Sequence, residues 1–318
     1  MKILTWNVRG LGGISNNAPP QFDLVELVKK FEVSLFFVLE SNFSSTRLKN
    51  FLSFRFPSWE SCSNFDAIEN GRIFVVWDVC RVACDVLEIG RQYIHVKVLC
   101  KETQQSFLAT FVYPLCHVNT RKEIWEHISS LGPSINLPWM VLWDFNCYLK
   151  PCEKKGGKKL LAYELKDLGE CMRICGLVDA PSTGLKFSWT NGSLWTKLDR
   201  VLMNDVWHRK GLMCLANFLP MLLSSDHCQV VTSVLHKREE GSRPFKFFNM
   251  WLKHSDFKET LTTSWGMVVN RSDQYILCLK LKALKRPLKK LNKRVLGGIL
   301  GKVSKVRTEF QEVVDLAI

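Results

Sequence analysis

Short runs of apolar or alternating residues recur along the first three quarters of the chain. They predict strands at Ile3–Val8, Leu35–Glu40, Ile73–Trp77, Ile94–Leu99, Phe107–Tyr113, Met140–Phe145, Lys197–Leu202 and Val230–Leu235. Helical spacing lies between some of them. Phe22, Val25, Leu27 and Val28 share one candidate helix, and Ile124, Trp125, Ile128 and Leu131 share a second. Leu161, Leu165, Leu168, Met172 and Cys175 share a third. Between Arg72 and Tyr113 strands follow one another with no helix, which implies antiparallel hairpins, so the order fits a layered α/β sandwich of two mixed sheets.

The pattern changes after Leu235. Residues 236–244 are polar and carry Gly241 and Pro244, which places a boundary between a domain at 1–235 and a connector at 236–318. In the connector Leu277, Leu281, Leu284, Leu288, Leu291 and Val295 alternate steps of four and three, with Lys and Arg between them. This spacing predicts a basic amphipathic helix that Pro287 should kink or divide.

Charge sharpens that division. The 318 residues are ordinary for a folded protein at 47% hydrophobic and 23% charged, but the formal net charge is +14. Residues 236–318 alone hold 18 Lys+Arg against 8 Asp+Glu. An excess concentrated there points to a polyanionic partner, with nucleic acid ahead of an anionic membrane surface or a merely solvated face. Met1–Asn7 leads straight into a strand and leaves no room for an export signal, so secretion is not expected. Apolar runs such as Leu35–Leu39 fall far short of the ~20 residues of a membrane span. The 12 cysteines are scattered, and Cys80/Cys84 and Cys171/Cys175 lack zinc-ligand spacing, so reduced thiols are expected.

Candidate chemistry gathers at the strand ends, where Asn7, Glu40, Asp144, Asn146, Asp199, Asp226 and His227 stand. In layered α/β folds such ends converge on one site. Carboxylates, amides and a histidine, without a Ser or Cys nucleophile motif, suit a hard oxygen-binding metal and a phosphate ester. Taken singly, Asn7 and Asp226 are equally turn or cap residues, and Tyr113 a strand aromatic.

Together the motifs resemble the endonuclease/exonuclease/phosphatase superfamily. They are Thr5-Trp-Asn-Val-Arg-Gly10, Leu39-Glu-Ser41, Phe111-Val-Tyr113, Asp144-Phe-Asn146, Lys197-Leu-Asp-Arg-Val-Leu202 and Ser225-Asp-His227, and they cover residues 1 to about 235. The resemblance implies a four-layered, deoxyribonuclease-like α/β sandwich followed by a basic helical extension. It implies Mg²⁺, with Mn²⁺ as the alternative, held by Glu40 with Asp226 nearby, and Asn7 orienting the site. Asp144 would position or deprotonate the attacking water, and Asn146 would contact the phosphate. His227, supported by Asp199, would bind or protonate a phosphate oxygen, and Tyr113 would line the pocket.

In finer detail Phe187-Ser-Trp-Thr-Asn191 and Phe245-Lys-Phe-Phe-Asn-Met-Trp251 are similar to plant non-LTR retrotransposons, in which this domain precedes a reverse transcriptase. That similarity implies a DNA-nicking enzyme, whose DNA substrate implies a nuclear location; nothing in the sequence points to a protein partner or a membrane. Lys285, Arg286, Lys289, Lys290, Lys293 and Arg294 of the connector are the expected nucleic-acid contacts. A nucleic-acid binder that has lost catalysis is the alternative, and an inositol or lipid phosphatase a third. The family has Gly before Asp144, where this chain has Trp143; Ser41, Pro114 and Arg9 are milder departures. Because Gly serves where torsions are unusual or packing is close, the Trp143 indole is expected to displace Asp144 or fill the pocket, with position 143 pointing to the opposite face of the strand or crowding its neighbours.

Overall fold

A computed structural model describes residues 1–11, 19–67, 73–115, 117–236, 247, 249–266 and 273–296. The chain divides into two compact units, Met1–Arg238 and Glu239–Ile318.

Alternation along the strands builds the first unit. In β1 (Lys2–Asn7) and β2 (Leu35–Leu39), Ile3, Leu35, Phe37 and Leu39 face one apolar layer, while Leu4, Trp6, Phe36 and Val38 face another. Both faces must therefore be covered. The second layer is closed by α1 (Pro19–Phe31), through Leu24, Leu27 and Val28, and by α2 (Ser45–Arg55), through Leu48, Phe51 and Leu52. The first layer is closed by a second sheet. Phe37 stacks on Phe111 of β7 (Gln105–Val112), with ring centroids 4.7 Å apart. In β8 (Trp139–Asp144), Met140 and Leu142 join that inner layer. Trp139 and Val141 instead meet Ile124, Trp125 and Ile128 of α3 (Val118–Leu131) and Leu168 and Cys171 of α4 (Ala162–Cys175). Helix, sheet, sheet, helix is the result, and each buried large aliphatic or aromatic side chain contributes about 1.5–3 kcal/mol.

The first sheet has seven strands in the order β11 (Ser182–Gly184), β15 (Leu212–Phe218), β16 (Val230–His236), β1, β2, β4 (Ile73–Asp78) and β3 (Trp59–Ser63). The second has six: β10 (Val178–Asp179), β14 (Asp199–Met203), β8, β7, β6 (Tyr93–Cys100) and β5 (Val82–Ile89). Both are mixed, with β1/β2 and β7/β8 parallel and β1/β16 and β8/β14 antiparallel. A small third sheet joins β12 (Trp189–Thr190), β13 (Trp195–Thr196) and β9 (Lys154–Lys155). A short helix, α5 (Val206–Arg209), leads into β15.

The expected strands all form, within a residue or two at their ends, while β3, β5, β15 and α2 add to them. Two members of the expected helical faces are corrected. Phe22 is 61% exposed, because Gln21 is the residue that turns inward to donate to the Leu11 carbonyl at 2.6 Å. Leu161 lies outside α4 at its N-cap and is exposed.

In the second unit, α6 (Ser255–Trp265) and α7 (Asp273–Leu296) pack around Trp251, Phe257, Leu284, Leu288 and Leu291. The indole of Trp251 donates to Asn292 Oδ1 at 2.9 Å. Of the two effects expected of Pro287, division of the helix does not occur: α7 runs through it. Proline forfeits one backbone hydrogen bond there, and the packed leucines on either side hold the helix together. Leu277 and Leu281 are exposed, so the apolar face is used only from Leu284 onward. Lys285, Arg286, Lys289 and Lys290 lie on α7; the side chains of Lys293 and Arg294 are outside the described set. No helix among the described residues is long and apolar enough to cross a membrane, and the described cysteines are free thiols.

Candidate active site

Strand direction brings the polar residues together. β1, β2, β7 and β8 deliver Asn7, Glu40, Tyr113 and Asp144 at or just past their C-terminal ends. β14 and β16 run the opposite way beside β8 and β1, so they contribute from their beginnings: Asp199 is the register partner of Asp144, and His227 lies just ahead of Val230.

Asn7 is the hub. Its Nδ2 lies 3.2 Å from Glu40 Oε1, 3.4 Å from Asp144 Oδ2 and 3.4 Å from His227 Nε2. Glu40 also accepts a short hydrogen bond from the Tyr113 hydroxyl. His227 Nδ1 faces Asp199 Oδ2 at 3.1 Å, which leaves Nε2 directed to Asn7 and, at 3.9 Å, to Asp144. Two serines fix this pair. Ser188 Oγ accepts from the amides of Leu198 and Asp199, at 3.0 and 2.9 Å. Ser225 Oγ accepts from the His227 amide at 3.1 Å and donates to the Asn7 carbonyl at 2.7 Å.

Asn146 sits beside the group. Its amide N–H donates to Asp144 Oδ1 at 3.0 Å, its Nδ2 donates to the Pro114 carbonyl at 2.8 Å, and buried Arg121 donates to its carbonyl at 2.5 Å. Asp226 stands apart. It pairs with Arg9 at 3.2 Å and accepts from the Trp189 indole at 2.8 Å, and neither contact brings it to Glu40. Ser188, Ser225, Arg121 and Trp189 had no role assigned from sequence, although Ser188, Trp189 and Ser225 lie inside its motifs.

Burial sets the electrostatics. It drives the Asp144 carboxyl up to about 7, helped by the charge of Asp199 and opposed by His227 and by hydrogen bonds from Asn146 and Asn7. For His227 burial alone would favour the neutral ring. Asp199, by charge and hydrogen bond, and then Asp144 and Asp226 outweigh it and bring the imidazole up to about 9. One ligand atom each from Asp144, Asp199 and His227 lies within 4.8 Å of the others, and Asp199 Oδ1 is buried without a partner. Crowded, undercompensated carboxylates of this kind, with Glu40 on the same Asn7 amide, suit a divalent cation nearby, whose charge would offset the desolvation that raises the Asp144 carboxyl.

The end of β8 is strained. Trp143 has φ 118°, a region that bulky side chains almost never occupy, and the residue is fully buried. Strict alternation would turn it outward with Val141, one of the two placements expected from sequence. The positive φ instead turns it inward with Met140 and Leu142, and its indole N–H is left without a partner. Arg9, Glu40 and Asn146 also have positive φ, at 48°, 52° and 47°. Such conformations persist where surrounding structure holds them, commonly at functional sites.

No family model matches the chain, and no curated protein matches it by sequence. Solved structures do match its fold. The endonuclease domain of TRAS1, a telomere-specific non-LTR retrotransposon, aligns with 74% of this chain and 99% of its own at TM-score 0.56 and 11% identity. An endonuclease/exonuclease/phosphatase from Bacteroides vulgatus aligns over 74% of this chain and 98% of its own, with TM-score 0.53 and 12% identity. A family protein of the same description from Bacteroides thetaiotaomicron gives 74%, 97%, 0.51 and 13% for the same measures. With two mixed sheets between helices and strand ends from both sheets meeting at Asn7, Glu40, Asp144 and His227, the chain has the fold of the endonuclease/exonuclease/phosphatase family.

Proposed function

We propose that this chain hydrolyses phosphodiester bonds in DNA with a divalent cation, Mg²⁺ or Mn²⁺, and that it descends from the endonuclease region of a non-LTR retrotransposon. The observation that carries the reading is the meeting of Asn7 with Glu40, Asp144 and His227 while Asp199 backs the imidazole at 3.1 Å.

Glu40 would hold the cation, whose charge offsets that of the phosphate when bound. Asn7 Nδ2 donates to Glu40 and Asp144 and so sets both carboxylates around one point, which His227 Nε2 also faces. Asp144, as the carboxylate, accepts a proton from the attacking water. His227, held as the imidazolium by Asp199, presents Nε2–H to a phosphate oxygen. Asn146 lies on the same side, its backbone fixed by Arg121.

Purified protein should nick supercoiled plasmid in Mg²⁺ and not in EDTA, and Glu40→Ala or His227→Ala should abolish nicking. Nicking that survives both substitutions or EDTA would remove this site from the reaction. One observation favours a second reading, a nucleic-acid binder without catalysis: the strained backbone at Trp143, beside Asp144. That reading predicts DNA binding with no nicking at any metal concentration.

A further inference from the structure

A cleft of about 530 Å³ opens between the beginnings of α3 and α4, lined by His117, Asn119, Lys122, Tyr163, Lys166 and Asp167 among others. The hydrolytic site makes no use of these side chains. The cleft nevertheless belongs to the same scaffold, because Arg121, next to Lys122, donates to the Asn146 carbonyl, and its own amide bonds back to His117. Gln92 ties the approach to α3 by donating to Thr120 and accepting from the Leu115 amide.

The lining has the chemistry of a nucleotide site. Tyr163 is 57% exposed and has no ring partner among the described residues. Lys122 and Lys166 are exposed and form no ion pair among them; Glu170, one turn beyond Lys166, is already paired with Arg173 at 2.6 Å. The one acid in the lining, Asp167, has a carboxylate oxygen buried without a hydrogen-bond partner. An exposed ring for stacking, two exposed ammonium groups for phosphates and a carboxylate acceptor match an unstacked nucleotide. The volume lies within the range of small-ligand pockets.

We propose that this cleft binds one unstacked nucleotide of the DNA strand that the site cuts. Tyr163 stacks on the base, Lys122 and Lys166 contact its phosphates, and Asp167 accepts from an exocyclic amino group, as cytosine, adenine and guanine offer and thymine does not. The inference rests on the hydrolytic reading, but it concerns binding and can fail separately.

The test is photocrosslinking of the full chain, in EDTA, to a single-stranded oligonucleotide carrying one 5-iododeoxycytidine, with the adduct mapped by mass spectrometry. The adduct is expected on Tyr163. Tyr163→Phe should keep it, Tyr163→Ala should remove it, and Lys122→Glu with Lys166→Glu should lower its yield at least fivefold. A probe with 5-iododeoxyuridine should crosslink less. An adduct confined to other segments, or one unchanged by the paired lysine substitutions in a folded protein, overturns the cleft. Plasmid nicking without the adduct sinks only this inference; the adduct without nicking supports the cleft and sinks the hydrolytic reading.

Discussion

The two sides of the site are built differently. On the β14/β16 side Asp199 and His227 face each other at 3.1 Å, and Ser188 and Ser225 satisfy the amides that hold them. On the β8 side Asp144 follows a tryptophan at φ 118° whose indole N–H is buried and unpartnered. Asp199 and Asp144 are register partners, so the contrast arises across one strand pair. An acid–base pair can be placed by side chains that bond each other and the nearby backbone, whereas the position of a carboxylate also depends on the torsions of the residue before it.

The largest expected effect comes from breaking the ordered side. Asp199→Asn should lower the nicking rate by about 10²–10⁴, the usual worth of a positioned acid or base. Single-turnover rates at saturating plasmid would check this; a loss under threefold would show that the imidazole works without its carboxylate.

Stability should separate strain from packing at residue 143. Removing the buried indole costs about 3–5 kcal/mol by comparison with other aromatic truncations. Relief of an unfavourable φ returns about 1–3 kcal/mol, but only in glycine. Trp143→Gly should therefore melt lower than the parent, and Trp143→Ala lower still. If the alanine variant equals or exceeds the glycine variant, the torsion stores no strain.

A smaller effect follows from protonation in metal-free protein. The Asp144 carboxyl rises from its ordinary value to about 7 and His227 to about 9, so the folded state binds protons more tightly than the unfolded chain at both. Their contribution is complete at acid pH and is lost as pH climbs through those values. Urea midpoints should fall between pH 5 and 9. Asp144→Asn should flatten the part below pH 7, and Mg²⁺ should raise the midpoint most at pH 8; a midpoint that instead rose with pH in EDTA would contradict the assignment.

The smallest effect belongs to the second unit. Neutralising Lys285, Arg286, Lys289 and Lys290 to Gln should flatten the plot of log K against log[salt], by about 0.9 for each phosphate of duplex DNA that is no longer neutralised. An unchanged slope would assign these residues to solvent.

Much of this arrangement was legible in the sequence, for identifiable reasons. β1, β2 and β8 are buried on both faces and read as continuous apolar runs. β3 and β5 are edge strands with several exposed positions, and β15 puts apolar Met213 and Leu215 on its exposed side, so neither pattern distinguished them from loops. The site residues showed as polar endings to apolar runs. The supporting bonds of Ser188, Ser225 and Arg121 did not, because they join residues far apart in sequence or serve backbone atoms. Trp143 was visible as an anomaly, but its inward turn required the torsion angle.

If the site hydrolyses phosphodiesters as proposed, residue 143 limits its rate. The most direct measurement is the Mg²⁺-dependent nicking rate of Trp143→Gly relative to the parent at equal folded fraction, with Asp144→Ala added as the control. The expected result is at least a tenfold increase, consistent with the roughly hundredfold cost of a catalytic group misplaced by about 1 Å, and its complete loss in the double variant. A glycine variant that is folded and no faster, or a gain that persists without Asp144, would contradict it.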